Sequence, residues 1–356
     1  NNVRVPRENL LHKEGEGLKI ALTCLDYGRC SLSAGIIGAA GMARDQAIKW
    51  AQYRYQFGRP IGEFEQIEAK LANMEAWGYA MDAMLAVTSG MIDRRVEDIM
   101  LETAIAKVFA SEIGFRTVDE ALQIMGGEGY MTENVLERIW RDSRIYIIVE
   151  GANEVMESFI FGYGAEHFGE SLRAIKEHPF KKPLEALKVA GEIFLGIKRR
   201  RPRVTGIHDL LSAETRRFEE LVQTFSHAVV KSFYRFGEGI LTRQMVHSRV
   251  SRAAMWLYAM ACSLAKADDS VRRAGRLPDD ERAVLDHLLE YASGEVTFAI
   301  ESLKRNPDAT MRAAAAAARR RADALPNGEF AIPEKTPDES ARGTGRKPNV
   351  DVVPQF

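Results

Sequence analysis

Residues 18–51 contain no proline and repeat their apolar side chains at steps of three and four, the period of one helix face. A helix of that length exceeds the ordinary ~8–20 residues and can bury its stripe only against neighbours of similar length. Two later segments supply them. Residues 67–91 align Leu71, Met74, Trp77, Met81 and Met84, and residues 98–125 align Ile105, Val108, Phe115, Val118, Leu122 and Met125. Long amphipathic helices with short connections pack as antiparallel bundles, so the expected fold class is all-α. The methionine-rich stripe could line a cofactor, but a bundle core is the better reading, because flexible thioethers fill irregular gaps.

Gly126, Gly127 and Gly129 stop the third helix, and the apolar run 145–149 leads into Glu150-Gly151 and a further helix to about Gly164. Pro179 and Pro183 flank a basic hinge, and residues 198–203 form a charged turn around Pro202. That turn could touch an acidic membrane surface or phosphates; a solvated linker is favoured. Helix returns from about 208 to 324, ending in an Ala/Arg-rich segment, and residues 331–356 read as an extended tail. The expected division is therefore a bundle at 15–165 and a second helical domain at 185–330. Val3 and Val5 alternate before Pro6 and read as the end of a strand. One strand cannot bury itself, so the sequence is expected to be the C-terminal part of a longer protein.

Composition excludes several classes. Lys plus Arg total 49 against 50 for Asp plus Glu, without the basic excess of a nucleic-acid binder. Three cysteines are too few and too scattered for a disulfide framework, and no Cys/His spacing matches a metal site. No apolar stretch is long enough to span a bilayer.

Few residues stand out chemically. The three glycines after the third helix fail the strand–turn–helix context of a dinucleotide or phosphate loop. They could let a flat or phosphorylated ligand approach the backbone, though a plain helix stop is favoured. Glu150 follows Ile147-Ile148-Val149. A carboxylate in apolar surroundings is costly when ionised, which suits a general base working near neutral pH; equally, it could favour the positive end of the following helix. Arg54 could grip phosphate by its planar fork or be an exposed helix-end arginine.

Together these residues form an ordered set. Val5-Pro6-Arg7-Glu8-Asn9-Leu10, Tyr27-Gly28-Arg29, the run from Arg54 to Ile61, the run from Gln123 to Tyr130, Glu137-Arg138, Arg141-Asp142 and Glu150-Gly151-Ala152-Asn153-Glu154 resemble the FAD-dependent acyl-CoA dehydrogenases. The resemblance covers residues 1 to about 165, as the family's C-terminal helical bundle preceded by the end of its middle β-domain (residues 1–14). The region beyond is similar, more loosely, to the extra domain of the long-chain and very-long-chain branch. The implied reaction is α,β-dehydrogenation of a fatty acyl-CoA to the trans-2-enoyl-CoA, in β-oxidation. The resemblance makes Glu150 the base that removes the α-proton while the β-hydride passes to FAD. The thioester carbonyl would be polarised by the base's own backbone N–H and a flavin hydroxyl, an oxyanion-hole device. Members that carry the base on the earlier helix have it where Gly28 stands here, which leaves Glu150 as the one candidate.

The resemblance also implies that Arg54, Gln56, Phe57, Phe64, Gln123, Gly126, Gly127, Ala152 and Glu154 contact FAD, several of them the FAD of a neighbouring subunit. Asp26, Arg29 and Gly151 would contact substrate. A homo-oligomer (dimer or dimer of dimers) and electron transfer to an electron-transferring flavoprotein follow, with peripheral membrane contact through the second domain as a further expectation. The compartment would be the cytoplasm in a bacterium and the mitochondrion in a eukaryote. Ala152 stands where threonine is usual, Glu65 where glutamine is usual, and Glu157 where the residue is often basic. Two other readings remain: a non-catalytic helical assembly module, and a related flavoenzyme acting on a non-CoA substrate.

Overall fold

A computed structural model describes residues 2–177 and 183–321. Helix α1 (Gly17–Tyr53) runs unbroken through Gly28 and Gly35. A small hairpin, β1 (Tyr55–Gln56) and β2 (Arg59–Pro60), turns the chain into α2 (Glu65–Asp93), and α3 (Met100–Met125) follows. The three long helices pack on one another as the periodicity requires. Met74, Trp77, Met81 and Met84 of the α2 stripe are all buried, each such side chain contributing about 1.5–3 kcal/mol by leaving water. On α1 the buried positions Ala40, Ala43, Ala47 and Ala51 are small, which lets α3 lie close along it.

Gly126 ends α3 with φ +59°, and short α4 (Gly127–Tyr130) follows. Helix α5 (Val135–Ser143) starts where the Asn134 side chain accepts the Leu136 N–H at 3.0 Å, a helix cap. A 3-10 turn (Arg144–Ile147) leads to α6 (Asn153–Glu177). Then come α7 (Pro183–Phe194), α8 (Ser212–Phe236), α9 (Gln244–Ala274), α10 (Asp279–Ser302) and α11 (Asp308–Arg320).

Among the described residues, those up to Leu303 group into one compact unit and those from Lys304 onward into another, in which α11 has no buried residue. Within the first unit, α9 and α10 bury their apolar faces on the bundle. Trp256 of α9 meets Phe109 of α3 edge-on, with ring centroids 4.8 Å apart, and Tyr291 of α10 meets Trp77 of α2 at 5.8 Å. Tyr79 donates to Glu281 at 2.7 Å across the same junction.

Two local expectations change. Val3–Val5 form no strand, and both valines are exposed. The basic turn is not merely solvated: Arg199 pairs with buried Glu192 at 2.8 Å, and Arg201 with Glu219 and Glu220 at 3.3 and 3.0 Å. The hinge at 178–182 and the tail at 331–356 lie outside the described residues.

Candidate active site

Between the 3-10 turn and α6 the backbone takes two left-handed steps in succession, Glu150 at φ +57° and Gly151 at φ +94°. Glycine adopts this freely, and at Gly151 a Cβ would also lie 2.6 Å from Met156 Sδ, so no other residue fits without movement. Glu150 has no such freedom. Its conformation costs roughly 1–2 kcal/mol and persists only where surrounding contacts over-determine it. The Ala152 carbonyl then accepts the Val155 and Met156 N–H groups, both at 2.9 Å, and starts α6.

The turn brings the Glu150 carboxylate over Gly28 of α1. A Cβ built there would stand 3.3 Å from Oε2 and 3.5 Å from Oε1, so even alanine would crowd the acid. Glu150 is half-buried, and its Oε2 is shielded from water with no hydrogen-bond partner. A bare carboxylate oxygen in a dry site is expensive to maintain for stability alone.

Beside it lies a buried ion pair on the same helix. Arg29 donates to Asp26 at 2.9 Å, Thr103 of α3 donates to Asp26 at 3.4 Å, and the Arg29 guanidinium stands 5.5 Å from the centroid of the Phe159 ring. Burial raises the Asp26 carboxyl above its ordinary value, with Arg29 opposing. Burial lowers Arg29, with Asp26 and then Glu150 opposing. Arg29 thus places positive charge near the acid, and its Nε is buried without a partner.

Sequence reasoning passed over the residue that secures the turn. Lys107 of α3 is 0% exposed, and its Nζ donates to the Gly151 carbonyl at 2.7 Å and to Asn153 Oδ1 at 2.8 Å. Asn153 in turn donates to Ser111 at 2.9 Å and Glu112 at 3.4 Å. A signal was available: Lys107 is the single charge in the apolar stretch 103–110, and such a helix is buried on every side.

The other candidates group elsewhere. Arg54, Gln56 and Phe57 are exposed on the hairpin, with Phe57 92% exposed at φ +51°. Phe57 meets half-buried Phe64 edge-on, centroids 6.3 Å apart, and Arg59 lies over Phe64 at 4.1 Å. Gln123, Gly126 and Gly127 are exposed at the end of α3, where a Cβ at either glycine would meet nothing within 4 Å. Open backbone at the α3 end lets a flat or phosphorylated ligand approach, and on the hairpin side the Arg54 side chain has no partner among the described residues, leaving its planar fork free for a phosphate. Ala152 is half-buried and Glu154 exposed at the start of α6. A cavity of about 210 Å³ between α3, α9 and α10 contains none of the candidates.

Comparison with known proteins places most of the chain in two matched segments. Residues 15–161 match the model of the acyl-CoA dehydrogenase C-terminal domain, and residues 209–322 match that of the ACAD9/ACADV C-terminal domain. The chain belongs to the acyl-CoA dehydrogenase family, a family that uses FAD. Within it, the chain is similar to the mitochondrial very long-chain specific acyl-CoA dehydrogenases of Homo sapiens and Rattus norvegicus, each 31% identical over 314 residues. Those matches cover 86% of this chain and 48% of either relative, so the chain spans about half their length. A crystal structure of an acyl-CoA dehydrogenase complexed with FAD from Bacillus anthracis aligns with a TM-score of 0.68 and 26% identity, over 84% of this chain and 52% of that one.

Proposed function

We propose that this chain is the base-bearing helical part of an FAD-dependent dehydrogenase of long-chain fatty acyl-CoA thioesters. The observation that carries this reading is the Glu150 carboxylate, held over Gly28 by a left-handed turn with Oε2 dry and unpartnered. An acid so placed is poised to accept a proton. Glu150 Oε2 takes the proton from the carbon next to the thioester carbonyl, and Arg29 steadies the resulting charge distribution from the neighbouring helix. Bound FAD supplies the acceptor for the hydride from the next carbon. Arg54, Gln56, Phe57 and Phe64 on the hairpin side, and Gln123, Gly126 and Gly127 at the α3 end, would hold it, with Ala152 and Glu154 beside the base. Asp26, Arg29 and Gly151 face the substrate.

Exposure of the hairpin residues in a single chain is what a site shared between two copies requires, and a homo-oligomer follows. An electron-transferring flavoprotein would be the partner that accepts the electrons. Ala21, Ser31 and Ala34 are exposed near Gly28 along α1, leaving room for a long acyl tail. Residues beyond about 185 contribute packing and assembly surface in this reading, including peripheral contact with a membrane. No helix among the described residues is long and apolar enough to cross one.

Glu150→Gln in the intact, flavin-loaded protein keeps the shape and removes the base. Flavin reduction by an acyl-CoA series should fall by at least ~10² at every chain length, with the wild type turning over the longest chains best. Undiminished bleaching by the variant would sink the assignment, and best turnover with butyryl-CoA would refute the long-chain class.

A further inference from the structure

We infer that Lys107 is a positioning residue, whose buried ammonium clamps the Glu150–Asn153 turn and so fixes where the Glu150 carboxylate points. The inference rests on the reading of Glu150 as the base. Three observations carry it.

First, Lys107 is 0% exposed in the middle of α3, where lysine is almost never found unless paired. No carboxylate accepts from it directly. Its two acceptors are the Gly151 carbonyl and the Asn153 side-chain oxygen, one on the strained turn and one at the first residue of α6. An ammonium has three donors in a compact fan, so two short bonds to residues 151 and 153 bracket the turn from one side. Second, Glu150 holds a left-handed conformation that its own side chain disfavours, and Lys107 makes the only side-chain hydrogen bond to the turn backbone among the described residues. Third, the clamp is anchored in depth. Asn153 also bonds Ser111 and Glu112 of α3. Further along α6, Glu157 pairs with Arg252 of α9 at 2.9 Å, and Ser251 donates to the Glu157 carbonyl at 2.6 Å. Helices α3, α6 and α9 thereby fix the frame in which the turn is held.

The charge environment agrees with a role beyond packing. Burial pulls the Lys107 ammonium down to about 8, and Arg29 of α1 adds repulsion. Glu150 on the turn, Glu112 on α3 and Glu154 on α6 oppose them. Methionine at this position would fill the same volume without that cost but would release the Gly151 carbonyl and Asn153 Oδ1, so the lysine is selected by its bonds to the turn and not by packing.

The test uses the intact FAD-loaded protein with palmitoyl-CoA, comparing Lys107→Met with Glu150→Gln. Lys107→Met should slow single-turnover flavin reduction by about 10- to 100-fold, the scale of an ångström-sized misplacement, with KM changed by less than about 3-fold. In the flavin-free protein, amide hydrogen exchange at residues 150–152 should accelerate while the rest of α3 keeps its protection. Reduction within about 2-fold of wild type, alongside an inactive Glu150→Gln, would overturn the positioning role and leave the base assignment standing. An active Glu150→Gln would instead overturn the base assignment, and the exchange measurement alone would then decide whether Lys107 clamps the turn. Should Lys107→Met not fold, Asn153→Ala removes one of the two acceptors. It should cost at least ~5-fold in reduction rate on the same argument, and wild-type rate and exchange would overturn the proposal.

Discussion

The base turn and the hairpin treat unusual residues in opposite ways. Around Glu150 every neighbour is already in place: Asp26, Arg29, Thr103, Lys107, Asn153 and Phe159 are buried and linked within one chain. On the hairpin Phe57 is also left-handed, at φ +51°, yet stands 92% exposed, touching only the edge of Phe64 among the described ring contacts. Strain held by buried contacts marks a finished arrangement, whereas strain displayed to solvent marks one that is completed by something else. In the proposed reading, the contrast separates the residues around the base, which are linked within one chain, from those assigned to the flavin, which stand open.

On that contrast, the same substitution should behave differently on the two sides. Gly151→Ala places a Cβ at φ +94° and 2.6 Å from Met156 Sδ. Backbone strain of roughly 1–3 kcal/mol would be relieved by moving the turn, with at least ~10² lost from flavin reduction. Gly126→Ala meets no atom within 4 Å, but φ +59° with ψ −135° suits glycine alone, so it should cost roughly 1–3 kcal/mol of stability in the flavin-free protein while leaving the turn at Glu150 untouched. Thermal midpoints and single-turnover rates of both variants check this. Equal losses of rate would erase the distinction.

The next effect falls on assembly. Phe57→Ala removes a ring that buries almost nothing in the single chain, so the flavin-free protein should unfold at the wild-type midpoint. The purified variant should nonetheless retain less flavin, and its oligomer should dissociate at higher concentration, as read by visible absorbance and light scattering. A fully yellow variant of unchanged mass would show the hairpin to be complete as it stands.

How much of this was legible before the structure depends on whether a residue's role is set locally. The α2 stripe from Met74 to Met84 follows from period alone, and every member is buried. Asp26 and Arg29 sit three apart, which already places them on one helix face. Glu150 was found through its flanking residues and family resemblance, but its left-handed backbone was not, because nothing in Val-Glu-Gly-Ala dictates φ at the glutamate. Val3–Val5 has strand chemistry without a partner to realise it. Lys107 was missed because periodicity counts a lysine as a solvent position, although the unbroken apolar stretch around it signals the packing of α3 between α1, α2 and α6 that turns it inward. The joining of α9 and α10 to the bundle was likewise invisible, since an amphipathic face shows that a helix is covered and not by what.

The smallest predicted effect sharpens the comparison through pH. Lys107 titrates near 8 in the folded chain against 10.5 for the free side chain. Between those values the unfolded chain binds one proton more than the folded one, so this group makes folding more favourable as pH rises across that window. Below about pH 8 both states are protonated and its contribution is constant. Relative to Lys107→Met, which cannot titrate, the wild-type protein should therefore gain in thermal midpoint from about pH 7 to about pH 9.5. A pair of variants on the hairpin side, wild type against Phe57→Ala, should show no such divergence, because no buried ionisable group stands there. A difference between wild type and Lys107→Met that stays flat over the window would mean that the ammonium is solvated and the turn is not held by a desolvated charge; a difference that shrinks would mean that the buried charge is favoured by its three acidic neighbours beyond the cost of drying it.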